Sequence, residues 1–269
     1  MRAKKSLGQH FLVDERAIEQ IVAAVATRAG ETIIEIGPGR GALTARLLQQ
    51  DCRFIAVEFD RELVPKLREE FKTHANFTLI EGDALETDFC AMIEPATQAR
   101  VVANLPYYIS TAILQRLIEQ RRCFSEFILM LQREVVERII APPGSSERGY
   151  LTVFVEAYCE TEALFDVAPE AFDPAPKIWS TVARLRVRPH AAIESIDEIL
   201  LWEIVSAGFA QRRKTIFNNL RHASLSLLAR IDEKGGAHRV LESAGIEPQR
   251  RAETLTVEEW ANIARTVSP

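Results

Sequence analysis

Long apolar runs are missing from this chain. No stretch approaches 18 uncharged apolar residues, so no membrane-spanning helix is expected. The start, Met1-Arg2-Ala3-Lys4-Lys5-Ser6, is basic but leads into Gly8-Gln9-His10 rather than an apolar run, which argues against a secretory signal. Cysteine is scarce. Cys52, Cys90, Cys123 and Cys159 lie far apart with no Cys-x-x-Cys pair, so neither a zinc cluster nor a disulfide framework is expected. Four reduced thiols in a cytoplasmic protein is the expectation. Positive charge is also short overall, with a net charge of −5. That argues mildly against nucleic acid, but the balance is uneven: residues 208–251 carry nine Lys or Arg against four acids.

What is present is ordinary globular material: 269 residues, 47% hydrophobic and 26% charged. This suffices for one large domain or a domain with a small appendage. Asp14 can cap a helix whose Ile18, Ile21, Val22 and Val25 recur at helical spacing. Thr32 to Ile36 is a β-branched run ending in glycines and reads as a buried strand. Arg53 to Val57, Phe77 to Ile80, Arg100 to Ala103 and Phe127 to Leu131 read as further strands, with helices between them. Asp60 caps one of those helices. Alternation at this pitch implies right-handed crossovers and a parallel sheet. Ala163 to Val167 and Thr181 to Val187 flank a proline-rich loop and suit an antiparallel pair at one sheet edge. Beyond Pro189 only helical patterns follow, for example Ile196 to Phe209, Ala237 to Ala244 and Val257 to Val267. The expected division is therefore 1–189 and 190–269, with the boundary near Arg188–Ala192.

Gly37, Gly39 and Gly41 follow a strand and open a helix, where glycine allows a tight turn and close approach of a ligand to the backbone. The spacing is G-x-G-x-G, not the dinucleotide G-x-G-x-x-G, and no P-loop Lys-Ser/Thr follows. Glu58 ends the second strand, where an acid can accept both ribose hydroxyls of an adenosine. Asp83 and Ala84 end the third, where Asp83 can accept from an adenine amino group. Each acid alone could equally be a helix cap or a solvated loop acid. Together they mark the carboxyl ends of parallel strands, where open α/β sheets bind ligands. NAD and S-adenosyl-L-methionine both fit this much.

Asn104-Leu105-Pro106-Tyr107 separates the two. An exocyclic adenine amine is a poor nucleophile because its lone pair is delocalised into the ring. The Asn104 amide carbonyl and the Leu105 backbone carbonyl can accept its hydrogens and aim the nitrogen at a sulfonium methyl, a positioning and electrostatic effect. Pro106 stiffens the turn, and Tyr107 offers a face for the base to stack on. No strong base is required, since the product ammonium is acidic, and no convincing His–Asp or Ser–His arrangement is present. Phe172, in a proline-stiffened loop, could close on the adenine opposite Tyr107, or could be a core aromatic beneath the loop. Arg212, Arg213 and Lys214 could contact RNA phosphates or form a solvated basic helix start.

Gly8 to Leu12, Glu35 to Gly41, Asn104 to Tyr107 and Phe172 to Lys177 together resemble the ribosomal RNA adenine N6-dimethyltransferases over essentially the whole chain. Phe209 to Leu220 looks like the members that act on small-subunit RNA. The resemblance implies a Rossmann-like seven-stranded class I methyltransferase sheet with a small all-helical C-terminal domain for RNA. It implies S-adenosyl-L-methionine as donor, S-adenosylhomocysteine as product and no metal. The substrate would be two adjacent adenines in the 3′-terminal hairpin loop of small-subunit ribosomal RNA, on an immature 30S subunit, and the enzyme a cytoplasmic monomer. By motif position Gln9, His10 and Leu12 would join Gly37, Glu58, Asp83 and Asn104 around the cofactor, although the family often has Asn where this chain has His10. Rival readings are a large-subunit methyltransferase of the antibiotic-resistance type, a DNA adenine methyltransferase and a non-catalytic assembly or transcription factor on the same fold. An NAD oxidoreductase would need a hydride-handling residue, and none is found.

Overall fold

A computed structural model of the chain describes residues 8–191, 193 and 196–268. The basic start at 1–6 and the boundary residue Ala192 lie outside the described residues. The strands among the described residues are β1 (Phe11–Leu12), β2 (Glu31–Ile36), β3 (Cys52–Glu58), β4 (Phe77–Glu81), β5 (Ala99–Asn104), β6 (Phe124–Gln132), β7 (Cys159–Val167), β8 (Phe172–Asp173) and β9 (Ser180–Val187). Helices α1 (Glu15–Val25), α2 (Ala42–Leu47), α3 (Val64–Phe71), α4 (Phe89–Met92), α5 (Ser110–Glu119) and α6 (Arg133–Ile139) alternate with the first six of them. Then come α7 (Tyr150–Tyr158), α8 (Glu198–Gly208), α9 (Ile216–Leu220), α10 (Leu225–Glu233), α11 (Ala237–Ser243) and α12 (Val257–Val267).

Seven strands form one sheet in the order β4-β3-β2-β5-β6-β9-β7. Strands β2 to β6 pair in parallel, and β9 runs antiparallel to β6 from Gln132↔Ser180 to Glu126↔Arg186. The central strands read as continuous β-branched runs because helices cover both faces: Ile33, Ile34, Phe54 and Ile55 are fully buried. After β4 the chain returns to lay β5 on the far side of β2. That reversal opens a crevice at the carboxyl ends of β2 and β5.

The N-terminal turn is fixed by a second, two-stranded ribbon. β1 pairs antiparallel with β8, Leu12 opposite Phe172. Phe11, Leu12 and Phe172 are buried in the same apolar cluster as Ile18, Ile21 and Leu43. The Asp14 side chain accepts from the Ala17 N–H at 2.7 Å and starts α1, as its sequence position suggests.

Two compact units partition the chain: residues 1–136 with 161–187, and 137–160 with 188–269. The sequence division kept all of 1–189 together, whereas α7 packs with the C-terminal helices α8 and α12. Local pattern could not show this, because an apolar helix does not reveal which neighbour buries it. In the second unit Trp260 is fully buried against Gly208, where a Cβ would stand 2.3 Å from the indole. Arg148, 1% exposed, ties the loop before α7 to the turn before α12 through the Ala141 and Leu255 carbonyls at 3.0 and 3.1 Å. The thiols differ from expectation. Cys90 and Cys123 come together, Cα to Cα 5.3 Å, as a disulfide, because α4 lies beside the turn before β6. Cys52 and Cys159 are free and buried. No described helix is long and apolar enough to cross a membrane.

Candidate active site

A cavity of about 300 Å³ opens at the crevice, in the first unit. It is lined by the turns that follow β2, β3, β4 and β5 and by the segment Gly8 to Leu12. Of the residues singled out in the sequence, Gln9, His10, Leu12, Gly37, Gly39, Glu58, Asp83, Ala84, Asn104, Leu105, Pro106 and Tyr107 all line it.

The glycines divide the work. Gly37 and Gly39 have φ of +67° and +61°, which side chains rarely adopt. A Cβ on Gly37 would meet nothing within 4 Å, so this backbone faces open space, while one on Gly39 would stand 3.0 Å from the Phe11 ring. Gly41 does not line the cavity. Its φ is +80° and a Cβ would lie 2.8 Å from the Phe71 ring, so its need for glycine is close packing against α3.

Acids crowd this end of the sheet. Glu58, 5% exposed, accepts from the Gly39 N–H at 3.2 Å and the Asp60 N–H at 2.7 Å. Burial nonetheless lifts its carboxyl above the usual range, the backbone donors opposing. Asp60, 4% exposed, is not the helix cap expected of it, since α3 starts after Leu63; its Oδ1 accepts from the Glu62 N–H at 3.0 Å in the preceding turn, and its Oδ2 accepts from the Gln9 amide at 2.9 Å and ties the N-terminal segment to the cavity rim. Asp83 Oδ1 accepts from the Leu85 N–H at 2.8 Å, which fixes its rotamer.

Sequence reasoning missed Glu35. It lines the cavity at 2% exposure, and burial pushes its carboxyl from 4.5 to about 8, against the hydrogen bond donated by the Thr44 hydroxyl. An acid inside an otherwise apolar strand was the available signal, since such a residue must be paired or protonated. Phe59, a lining residue 57% exposed, was missed too; an aromatic directly after the acid of β3 marks it.

At the end of β5 the Asn104 Nδ2 donates to the His10 carbonyl at 3.0 Å. A carbonyl can only accept, so this bond assigns the amide orientation and leaves Oδ1 as the acceptor for something else. The His10 ring stacks on Tyr107 at 5.6 Å and its Nδ1 donates to the Pro174 carbonyl at 2.6 Å. The Tyr107 hydroxyl shares a 2.7 Å bond with Ser180, a fully buried residue that the sequence reading passed over. Phe172 is placed otherwise than the stacking role requires. It is 4% exposed, belongs to the apolar cluster and does not line the cavity. Tyr108 lines the rim at 60% exposure and lies against Gly8.

Arg212, Arg213 and Lys214 lie exposed in the second unit, in the turn between α8 and α9. Asn219 holds that turn by donating to the Gly208 and Gln211 carbonyls. Arg212 donates to the Ser146 carbonyl. Arg250, counted in the basic segment, is committed to Glu259.

A sheet of this order, with β9 reversed beside β6 and a glycine turn after its central strand, is the class I methyltransferase fold. Two solved structures share it: a dimethyladenosine transferase from Plasmodium falciparum (TM-score 0.79, 24% identity, 94% of this chain and 96% of that one) and the 23S rRNA methyltransferase ErmE (TM-score 0.71, 24% identity, 96% and 99%). The chain belongs to the ribosomal RNA adenine dimethylase family, whose model matches residues 1–267. Its relatives include the ribosomal RNA small subunit methyltransferase A of Clostridium botulinum strain Loch Maree, 40% identical over 97% of this chain and 92% of that protein. The protein of the same name from Bacillus thuringiensis strain Al Hakam is 40% identical over 98% and 91%.

Proposed function

We propose that the protein transfers methyl groups from S-adenosyl-L-methionine to N6 of two adjacent adenines in the 3′-terminal hairpin loop of small-subunit ribosomal RNA, in the cytoplasm, on an immature 30S subunit. The observation that carries this is the Asn104 amide, whose nitrogen is committed to the His10 carbonyl and whose oxygen is thereby turned to accept an amine hydrogen.

The cavity suits a cationic nucleoside. Glu58, Asp60 and Asp83 line it, Gly37 leaves room at the backbone, and Phe59 presents an exposed ring. In this reading Glu58 takes the ribose hydroxyls, Asp83 and the Ala84 backbone the adenine edge, and Gln9, His10 and Leu12 the methionine end. The donor supplies an electrophilic sulfonium methyl. In the first transfer the Asn104 oxygen and the Leu105 carbonyl each accept one hydrogen of the target amine, aligning the nitrogen and relieving its conjugation with the ring. In the second the methylamine has one hydrogen, held by one of these acceptors, and each time the methyl–sulfur bond breaks to leave S-adenosylhomocysteine. Pro106 holds the Leu105 carbonyl in place. Tyr107, braced by Ser180 and His10, stacks on the base. Phe172 acts from beneath, by fixing the Leu12 backbone with which it pairs. The proton left on nitrogen departs to solvent, so no general base is needed. Arg212, Arg213 and Lys214 hold RNA phosphates, and the enzyme works as a monomer without a metal.

The test is methyl transfer from labelled donor to under-methylated small subunits, with mass mapping of the product. Dimethyladenosine at two adjacent adenines is expected. Label confined to large-subunit RNA would overturn the substrate and favour the antibiotic-resistance type of reaction. No label on either subunit would overturn the activity.

A further inference from the structure

Two of the four cysteines are joined where the sequence led us to expect free thiols, and the site described above makes no use of them. Cys90 lies in α4, a helix of four residues, and Cys123 in the turn before β6. Their Cα atoms are 5.3 Å apart, across 33 residues of sequence. Cytoplasmic proteins seldom keep a disulfide for structure, because the thiol pool reduces it; those that occur are usually transient and redox-sensing. The pair is within reach of a reagent: Cys90 is half-buried, and both cysteines line a surface depression with Pro95 and Arg122. Reduction strands no polar group either. The Gln120 carbonyl lies 3.6 Å from the Cys90 sulfur and 3.1 Å from the Cys123 sulfur, placed to accept a thiol hydrogen. The fold therefore accommodates both redox states.

The pair also sits at the far end of the segment that carries Asp83. Asp83 lines the cavity, and its carbonyl accepts from the Thr87 N–H at 3.0 Å and the Thr87 hydroxyl at 2.7 Å. The Thr87 carbonyl accepts from the Gln120 amide at 2.9 Å, and Gln120 Oε1 accepts from the Phe89 N–H at 2.8 Å. Residues 83–90 are thus one hydrogen-bonded unit, with the cavity at one end and Gln120 at the other. A single turn of helix is not stable by itself, so its docking depends on tertiary anchors. Here these are the fully buried Phe89, Gln120 and the disulfide.

We infer that Cys90 and Cys123 form a reversible redox switch, whose disulfide locks residues 83–90 against Gln120 and so tightens the donor site at Asp83. This rests on the proposed role of Asp83 toward the donor. The oxidant is a low-molecular-weight disulfide such as oxidised glutathione. The Cys90 thiolate attacks it and releases one thiol; the Cys123 thiolate then attacks the Cys90 sulfur of the mixed disulfide and releases the second. Two protein thiols become one disulfide, and their two electrons and two protons leave on the two reagent thiols.

The experiment equilibrates the protein in glutathione buffers of graded redox ratio, maps free thiols by alkylation and mass spectrometry, and measures the Kd for S-adenosyl-L-methionine by calorimetry. Cys90 and Cys123 should oxidise together while Cys52 and Cys159 stay as thiols. Reduction should raise the donor Kd roughly 5-fold, the low end for coupled sites. Linkage then requires the reciprocal effect: saturating donor shifts the redox midpoint toward the disulfide by the same factor. A disulfide that only staples the fold would change the melting temperature and neither of these. Cys90→Ser combined with Cys123→Ser should show the Kd of the reduced protein in every buffer. No disulfide in the most oxidising buffer, or a Kd indifferent to redox state, would overturn the switch. Asp83→Asn separates the two readings. If it weakens donor binding while redox state does not, the switch alone falls; if it leaves the Kd unchanged, or if the wild type binds no donor, the Asp83 reading falls and the switch with it.

Discussion

Glu35→Gln should make the protein more stable at neutral pH, by an amount that depends on pH in a defined direction. Glu35 is 2% exposed, and its carboxyl is pushed from 4.5 to about 8, chiefly by burial. Below pH 4.5 the folded and unfolded chains both hold the proton, so nothing is lost. Above it the unfolded carboxyl ionises while the folded one stays protonated, and stability falls until the folded group also ionises near 8. Each pH step in that window is worth about 1.4 kcal/mol. The cumulative cost to the native state is about 3 kcal/mol at pH 7 and about 5 kcal/mol at high pH. A glutamine has no proton to hold, and its carbonyl can still accept from the Thr44 hydroxyl. Urea denaturation of the cofactor-free protein at pH 5, 6, 7 and 8, followed by circular dichroism, measures the difference between the two proteins, in which other titrating groups largely cancel. The variant should gain roughly 2–3 kcal/mol on the wild type between pH 5 and pH 7. A difference that stays constant across that range would refute the assignment of a protonated, desolvated carboxyl to this position.

Asn104→Ala should lower kcat at least about 100-fold while leaving circular dichroism intact, the signature of a group that acts on the transferring centre; near-normal turnover would remove Asn104 from the mechanism. Gly41→Ala adds a Cβ 2.8 Å from the Phe71 ring at a φ of +80°, and should cost about 2–4 kcal/mol in chemical denaturation with donor affinity little changed. A specific loss of donor affinity would return Gly41 to the binding site. Replacing Arg212, Arg213 and Lys214 by glutamine should flatten the plot of log K for RNA against log salt by about 2, since each phosphate on a single strand contributes about 0.7; an unchanged slope would leave them a solvated surface.

Sequence alone determined what depends on local chemistry. The apolar runs of β2, β3 and β5, the glycines after β2, Glu58 and Asp83 at strand ends, and Asn104 to Tyr107 after β5 are all legible. Each follows from strand period, turn conformation or functional-group valence within a few residues. Because parallel strands share one end, those motifs fall together at the carboxyl edge of the sheet. Tertiary structure decided whatever depends on partners distant in the chain. The Asn104 amide is oriented by a carbonyl 94 residues away. Tyr107 is braced by Ser180, 73 residues on. Phe172 sits in the core because β8 pairs with β1, and Cys90 meets Cys123 because α4 lies beside the turn before β6. Helix α7 sides with the C-terminal helices, and Gly41 is reserved for a ring on α3. Burial and hydrogen-bond partners are properties of the packed chain, so Glu35 reads as an ordinary acid until the sheet closes around it.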